Sequence, residues 1–285
     1  MRFVAQREIP VPLSSEKRKQ EQKKQAGPNY KKVQVHPTIG SWGNNAPTVS
    51  ICTLTYNRNH FLPLLQSCIE KQDYPHSKIE WLILNDSPRE SDDPLLGANT
   101  KIRVKYQRIN QKLTLGKKRN LSHQLCSGDY IIYMDDDDYY YPTRVSHAVS
   151  TLMNSGKSVA GSTFLQIYYC HDQQLWLSGP FGQNHATANT FAMTKEFARS
   201  QHYKNEDICN EERYFLKNYT IPMAQLDPKQ TLICISHKSN TFDKKKMRNQ
   251  QKDNPRLRKL SSKQIPEEIK NRLKKYQEVY AKEVR

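Results

Sequence analysis

The 285-residue chain has no apolar run approaching the roughly 18 residues that a membrane-spanning helix needs. Its opening residues, MRFVAQREIPVP, lack the apolar stretch of a secretory signal. We therefore expect a protein that is not transmembrane and that works in the cytoplasm. The six cysteines (Cys52, Cys68, Cys126, Cys170, Cys209 and Cys234) are scattered, with no CxxC. That disfavours a zinc site or a disulfide framework, and buried free thiols are expected instead. There is no GxGxxG and no GxxxxGK[ST], which disfavours a dinucleotide dehydrogenase and a P-loop NTPase. Hydrophobic residues make up only 36%, enough for one α/β core with polar tails but not for a core along the whole length.

The net charge of +17 is unevenly spread. Residues 1–46 carry 9 Lys/Arg against 3 Asp/Glu, and residues 241–285 carry 15 against 6. Residues 47–240 carry 21 against 19 and are nearly neutral. The basicity therefore belongs to the tails, which suit nucleic acid, an anionic membrane surface or an acidic partner, or simply solvation. It says little about the chemistry of the centre.

That chemistry gathers at Tyr130 to Pro142, YIIYMDDDDYYYP. An apolar, β-branched run reads as a buried strand and ends in four consecutive carboxylates, Asp135, Asp136, Asp137 and Asp138. Adjacent anions at the end of a buried strand repel one another with little screening, and a hard cation relieves them. Carboxylate oxygens suit Mg2+ or Mn2+, which usually keeps positions for substrate phosphates. The alternative is a solvated acidic turn.

Residues 1–46 read as a basic arm without an apolar face, although the charge run from Glu16 to Lys24 has the composition of an exposed helix. Val49 to Thr55 reads as a first strand, followed by the turn Tyr56-Asn57-Arg58-Asn59 and a helix with Phe61, Leu64, Leu65, Cys68 and Ile69 at helical spacing. Ile79 to Leu84 is a second strand, ending at Asn85-Asp86-Ser87. A loop runs to Thr100, and Ile102 to Ile109 alternates as an edge strand. Gly116 opens a helix that stops at Gly128 before the acid-terminated strand. This order predicts a βαβ-type, mainly parallel sheet. Ligands of such sheets bind beyond the carboxyl ends of the strands, where three polar clusters should meet. After a helix over residues 142–156, apolar and aromatic strands (FLQIYYC, QLWL) replace the βαβ rhythm. A helix (MTKEFARSQ), an acid-rich segment and two short strands follow, the second ending at Ser236-His237. Residues 266–284 form an amphipathic helix that packs on the domain or on a partner.

Over residues 49 to about 240 the chain resembles the GT-A glycosyltransferases of family 2. VSICTLTYNR is similar to the family's first strand and turn, with Leu54 in place of its proline. LNDSP resembles its Asp-Asp-Gly-Ser turn, with Asn85 in place of the first Asp. GKKRNLSHQLCSGDYIIYMDDDD resembles the Arg-Asn helix leading into the Asp-X-Asp strand. The resemblance implies a GT-A domain over residues 47–240; the basic N-terminal arm, residues 1–46, and the basic C-terminal extension, residues 241–285, lie outside it. It implies an inverting, metal-dependent transferase that uses a nucleotide-sugar, a UDP-sugar before others. Tyr56 and Asp86 would hold the base, with Thr55 and Arg58 lining the pocket, Arg119 near base or phosphates, and Asp136 reaching the ribose. Asp135 and Asp137 match the Asp-X-Asp acids, and His237 stands where many GT-A enzymes supply a further metal ligand. The general base belongs to an acid pair opening a late helix. Glu211-Glu212 is preferred to Glu206-Asp207, with Glu212 in place of the family's Asp. The acceptor, a glycan or protein, would meet the region from Phe164 to Thr190, with Trp176 and Asn189 as candidate contacts. Two non-catalytic readings stand beside this one: a glycan- or nucleic-acid-binding protein on the same fold, and an RNA-binding protein led by its tails.

Overall fold

Seven successive buried residues, Val49–Thr55, form strand β1 at the middle of the molecule. Their alternation feeds two cores: Val49 and Ile51 face one, and Cys52 and Leu54 the other. Burial on both faces is why this strand reads as a continuous apolar run rather than an alternating one. The structure is a computed structural model and describes residues 42–43, 45–88, 100–238, 240, 244–250, 254–261, 265 and 267–282. The expected helix from Glu16 to Lys24 and most of the loop before Thr100 lie outside these residues, as does most of the N-terminal arm.

In chain order, β1 leads through a short 3-10 turn into α1 (Leu62–Ile69), then β2 (Ile79–Asn85), β3 (Arg103–Arg108), α2 (Leu115–Leu125) and β4 (Tyr130–Tyr133). β5 (Tyr139–Tyr140), α3 (Arg144–Ser155), β6 (Val159–Gly161), β7 (Leu165–Tyr169), β8 (Gln174–Ser178), β9 (Ala192–Thr194) and α4 (Lys195–Ser200) follow. The chain continues through α5 (Glu212–Phe215), β10 (Ala224–Gln225), β11 (Leu232–Ser236), α6 (Lys244–Gln250), β12 (Leu257–Lys259) and α7 (Glu267–Lys282).

One sheet has the order β10-β6-β9-β4-β1-β2-β3. β4, β1, β2 and β3 run parallel, and β9 is antiparallel to both β4 and β6. The expected edge strand is β3. In register, Thr55 lies opposite Asn85, and Cys52 opposite Tyr133. The carboxyl ends of β1, β2 and β4 therefore finish side by side. A second sheet has the order β12-β8-β7-β11-β5. β4 belongs to the first sheet and β5 to the second, where Tyr140 pairs with Leu232. The four aspartates are thus the link by which the chain passes from one sheet to the other.

The C-terminal residues are built into this frame. β12 pairs antiparallel with β8, and Ile269, Leu273 and Tyr276 of α7 are buried in the same core as Val49 and Trp81. The helix expected to pack on the domain or on a partner packs on the domain. Its Tyr276 hydroxyl donates to the Asp138 carbonyl at 2.9 Å. At the other end, Ala46 is buried and Trp42 packs on Tyr74 with ring centroids 4.8 Å apart. Four of the six cysteines (Cys52, Cys68, Cys126 and Cys234) are buried, and all six are free thiols. No helix among the described residues is long and apolar enough to cross a membrane.

Candidate active site

The turn after β1 is shaped by its own residues. Asn57 takes a left-handed backbone (φ 55°), which asparagine tolerates better than most side chains, and its N–H donates to Ser87 Oγ at 2.6 Å. Asn85 accepts from the Ser87 N–H at 2.9 Å and donates to Asn59 and to Tyr106. It therefore orders the ends of β1 and β2, a task its neutral amide performs with both donor and acceptor atoms. This places Thr55, Tyr56 and Asp86 along one edge. Thr55 is buried, and Tyr56 is half-buried with the Lys112 ammonium 4.3 Å from its ring centre. Asp86 is buried, and its Oδ2 accepts from the Leu113 N–H at 2.8 Å. Its Oδ1 pairs with Lys118, a residue that sequence reasoning missed. Lys117 and Lys118 look alike in sequence; only the packing of α2 shows that one is exposed and the other buried.

Arg58 turns toward the acid run. Its Nη1 is 2.8 Å from Asp137 Oδ2 and its Nη2 is 3.1 Å from Asp136 Oδ1. Asp137 Oδ2 also lies 3.1 Å from His237 Nε2 and accepts from Asn240 Nδ2 at 3.2 Å. Burial works against the charge of Asp137, but Arg58 and His237 overcome it and hold its carboxyl well below the usual range. Asp136 is fully buried, and burial together with Asp137 pushes its pKa up to about 7 despite Arg58. Asp138 is pushed up to about 7 by burial and Asp137. It is built into the frame: Oδ1 accepts from the Ile235 N–H at 2.9 Å and Oδ2 from Asn189 Nδ2 at 2.7 Å. Asp135 is half-buried, with Arg119 Nη2 at 3.9 Å. Two further cations come from places sequence patterns did not single out. Lys244 reaches the cluster from α6; burial opposes its charge, yet Cys234, Asp137 and Asp138 push its pKa up. Arg144 is fully buried and donates to the carbonyls of Tyr133, Thr190 and Phe191, fixing the loop that carries Asn189.

Helix α2 anchors the acid-rich segment. An added Cβ at Gly116 would run into the Lys204 carbonyl, and the Gly116 N–H donates to the Asp207 carbonyl at 3.0 Å. Asn120 pairs both ends of its amide with the Tyr203 backbone, at 2.9 Å each. Arg119 stacks on Tyr133 at 4.2 Å and pairs with Glu211 Oε1 through Nη2 at 3.3 Å. Glu211 is therefore tied to the residue that also approaches Asp135. Glu212 stands beside it with no ion pair among the described residues, and burial followed by the Glu211 charge pushes its pKa up to about 7. Glu206 is exposed and Asp207 is half-buried at the foot of α2. Asn189 is buried, with its amide engaged by Asp138 and Thr187. Trp176 lies on β8, two strands from β11; its ring faces Arg248 at 5.5 Å and its Nε1 donates to Gln174 Oε1 at 3.2 Å.

The model of one family, described as glycosyl transferase family 2, matches residues 50–225. The chain belongs to glycosyl transferase family 2. Within the family it is similar to the poly(ribitol-phosphate) beta-N-acetylglucosaminyltransferase TarS of Staphylococcus aureus, at 30% identity over 95 residues. That stretch is 32% of this chain and 16% of the relative, so the likeness spans only a small part of the larger protein. Among solved structures, TarS residues 1–349 with UDP superposes with a TM-score of 0.53 at 17% identity, covering 67% of this chain and 61% of that one. The mannosyltransferase PcManGT of Pyrobaculum calidifontis, in complex with GDP-Man and Mn2+, gives 0.52 at 12% identity over 70% and 62%. The shared architecture is the GT-A fold, as the sequence led us to expect.

Among the described residues, no group of three or more His, Cys, Asp and Glu side chains is arranged to hold a metal ion. Of the expected ligands, the structure brings Asp137 and His237 together and leaves Asp135 beside Arg119. The Asp137–His237 pair still fits a divalent cation in one respect. Their ligand atoms are 3.1 Å apart. Two adjacent ligands of an octahedral ion with bonds of roughly 2.0–2.1 Å are separated by about 3 Å. Burial first, and then the neighbouring Asp137, raises the Asp136 and Asp138 carboxyls to about 7.

Proposed function

We propose that this family 2 domain is an inverting, metal-dependent glycosyltransferase that moves a sugar from a nucleotide-sugar, a UDP-sugar in the first instance, to the hydroxyl of a glycan or protein acceptor. The observation that carries the reading is the convergence of three strand ends, those of β1 (Thr55, Tyr56), β2 (Asp86) and β4 (Asp135–Asp138), with Glu212 at the start of α5 next to Glu211, whose partner Arg119 also approaches Asp135. TarS and PcManGT, with UDP and with GDP-Man and Mn2+, support a nucleotide-sugar donor for the fold.

In this reading Tyr56 and Asp86 receive the base, and Asp136, beneath Arg58, lies on the ribose side. Arg119 stands between the phosphates and Glu211. Asp137 and His237, with Asp135, would hold Mn2+ or Mg2+, which supplies positive charge to the departing diphosphate. Glu212 takes the proton of the acceptor hydroxyl as its oxygen attacks the anomeric carbon. The new C–O bond forms on the face opposite the breaking bond to phosphate, and that electron pair leaves with the nucleoside diphosphate. The configuration inverts, and Glu212 ends protonated. A base with a pKa near the working pH is suited to this step, because it is both available and strong enough. The acceptor is proposed to approach past Asn189 and the second sheet, which carries Trp176. We assign the basic tails to an anionic surface near the acceptor and the protein to the cytoplasm.

The test is a panel of nucleotide-sugars assayed for donor hydrolysis and transfer with Mn2+, with Mg2+ and with excess chelator. Metal-dependent turnover of one nucleotide class is expected. Donor binding with no turnover under any condition would make the protein a binding module.

A further inference from the structure

Lys118 is the buried cation that the donor site, as described, leaves without a task. It extends from α2 into the gap between the ends of β1 and β2. Its Nζ donates to the Thr55 carbonyl at 2.8 Å and to Asp86 Oδ1, and the side chain is 7% exposed. An ammonium has three donors, so both neighbouring strand ends are joined through one nitrogen. Asp86 Oδ2 receives the Leu113 N–H, so each carboxylate oxygen has one fixed donor. A carboxylate offers about four lone-pair sites, which leaves acceptor capacity on each oxygen.

We infer that Lys118 is a positioning residue of the nucleobase pocket, holding the Asp86 carboxylate in the orientation in which it accepts the imide N–H of a uracil. The inference rests on the base-pocket reading given above. The physical case is the state of Asp86 without its partner. Without Lys118, Oδ1 loses the donor that fixes the plane of the carboxylate, and the Leu113 N–H on Oδ2 is left to orient it. A carboxylate that can turn no longer presents a fixed lone pair to an imide N–H, and hydrogen bonds weaken steeply as their geometry departs from linear. Burial lowers the pKa of Lys118, against the opposing pull of the Asp86 charge beside it.

The discriminating ligand pair is UDP and the diphosphate of N3-methyluridine, which lacks the imide N–H. Both are titrated calorimetrically into the full chain, as wild type, Lys118→Met and Lys118→Arg. Wild type should bind UDP at least about tenfold more tightly than the methylated analogue, the scale of one hydrogen bond to a charged group. In Lys118→Met the UDP affinity should fall by about tenfold and the preference over the analogue should shrink to within about twofold. Lys118→Arg, which keeps the charge, should retain part of the preference. A Lys118→Met protein that still prefers UDP as strongly as wild type would overturn the inference. Wild type with no preference would instead overturn the placement of the base on Asp86, and the role of Lys118 with it. If the Met variant shows no cooperative thermal transition, Lys118→Gln is read by the same two outcomes.

Discussion

Arg119 and Glu211 form a buried ion pair in which Nε and Nη2 each lie 3.3 Å from the same carboxylate oxygen. The pair joins α2 to the start of α5, and Arg119 Nη2 continues to Asp135 at 3.9 Å. Removing one member of a buried pair leaves an uncompensated charge, which typically costs about 3–5 kcal/mol. Arg119→Met should therefore lower the urea-derived unfolding free energy by about 3 kcal/mol or more. Glu211→Gln should cost less, because Arg119 keeps Asp135 nearby. Equal, small losses in both variants would show that the pair is of little consequence.

Glu212 is the proposed base. Glu212→Gln keeps size and polarity but takes no proton, so transfer should fall by about 10²–10⁴-fold, the usual contribution of general-base catalysis. Donor affinity should hold. A base works in its ionised form, so with the Glu212 pKa raised to about 7 the wild-type rate should climb as pH rises through 7 and level off above it. Glu206→Gln, at an exposed position, should leave the rate unchanged. A larger loss at Asp207→Asn than at Glu212→Gln would move the base to the earlier pair.

Asp137 Oδ2 gathers Arg58, His237 and Asn240. Asp137→Asn should abolish transfer and weaken UDP binding in Mn2+ while the thermal transition survives, since Asp136 still pairs with Arg58. Excess chelator should do the same to wild type. Full activity in either condition removes the metal from the mechanism.

The C-terminal helix supports the acid run from behind. Leu273 is 1% exposed, and Leu→Ala at such a site costs about 2–5 kcal/mol. Leu273→Ala should show this loss in chemical denaturation and should lower transfer as well, because Tyr276 on the same helix holds the Asp138 carbonyl. Ending the chain at residue 261 should be more severe on both counts. A truncated protein of wild-type stability would show that α7 is dispensable.

At the other end, removing residues 1–41 should leave donor hydrolysis unchanged and weaken binding to anionic vesicles. Removing residues 1–46 should also cost stability, since Ala46 is buried and Trp42 packs on Tyr74. Donor hydrolysis lost on the shorter deletion, with the fold intact, would bring the basic arm into the site.

What the sequence determined by itself was whatever depends on near neighbours in the chain. The apolar runs of β1, β2 and β4, the helix opened at Gly116 and the acid run at the end of β4 were all legible, because alternation, capping and charge repulsion act over a few residues. Their order was enough to point to the family. The tertiary structure decided which charges meet. Nothing local distinguishes Lys118 from Lys117, or draws Lys244 to Asp137 across more than 100 residues; that takes the burial of one helix face and the closing of α6 over β11. Nor does the run of four aspartates say that the chain changes sheets there, committing Asp138 to the Ile235 amide and leaving Asp137 to Arg58 and His237. Composition supplied the charges, but their pairing depends on distance and desolvation, which exist only once the two sheets have packed.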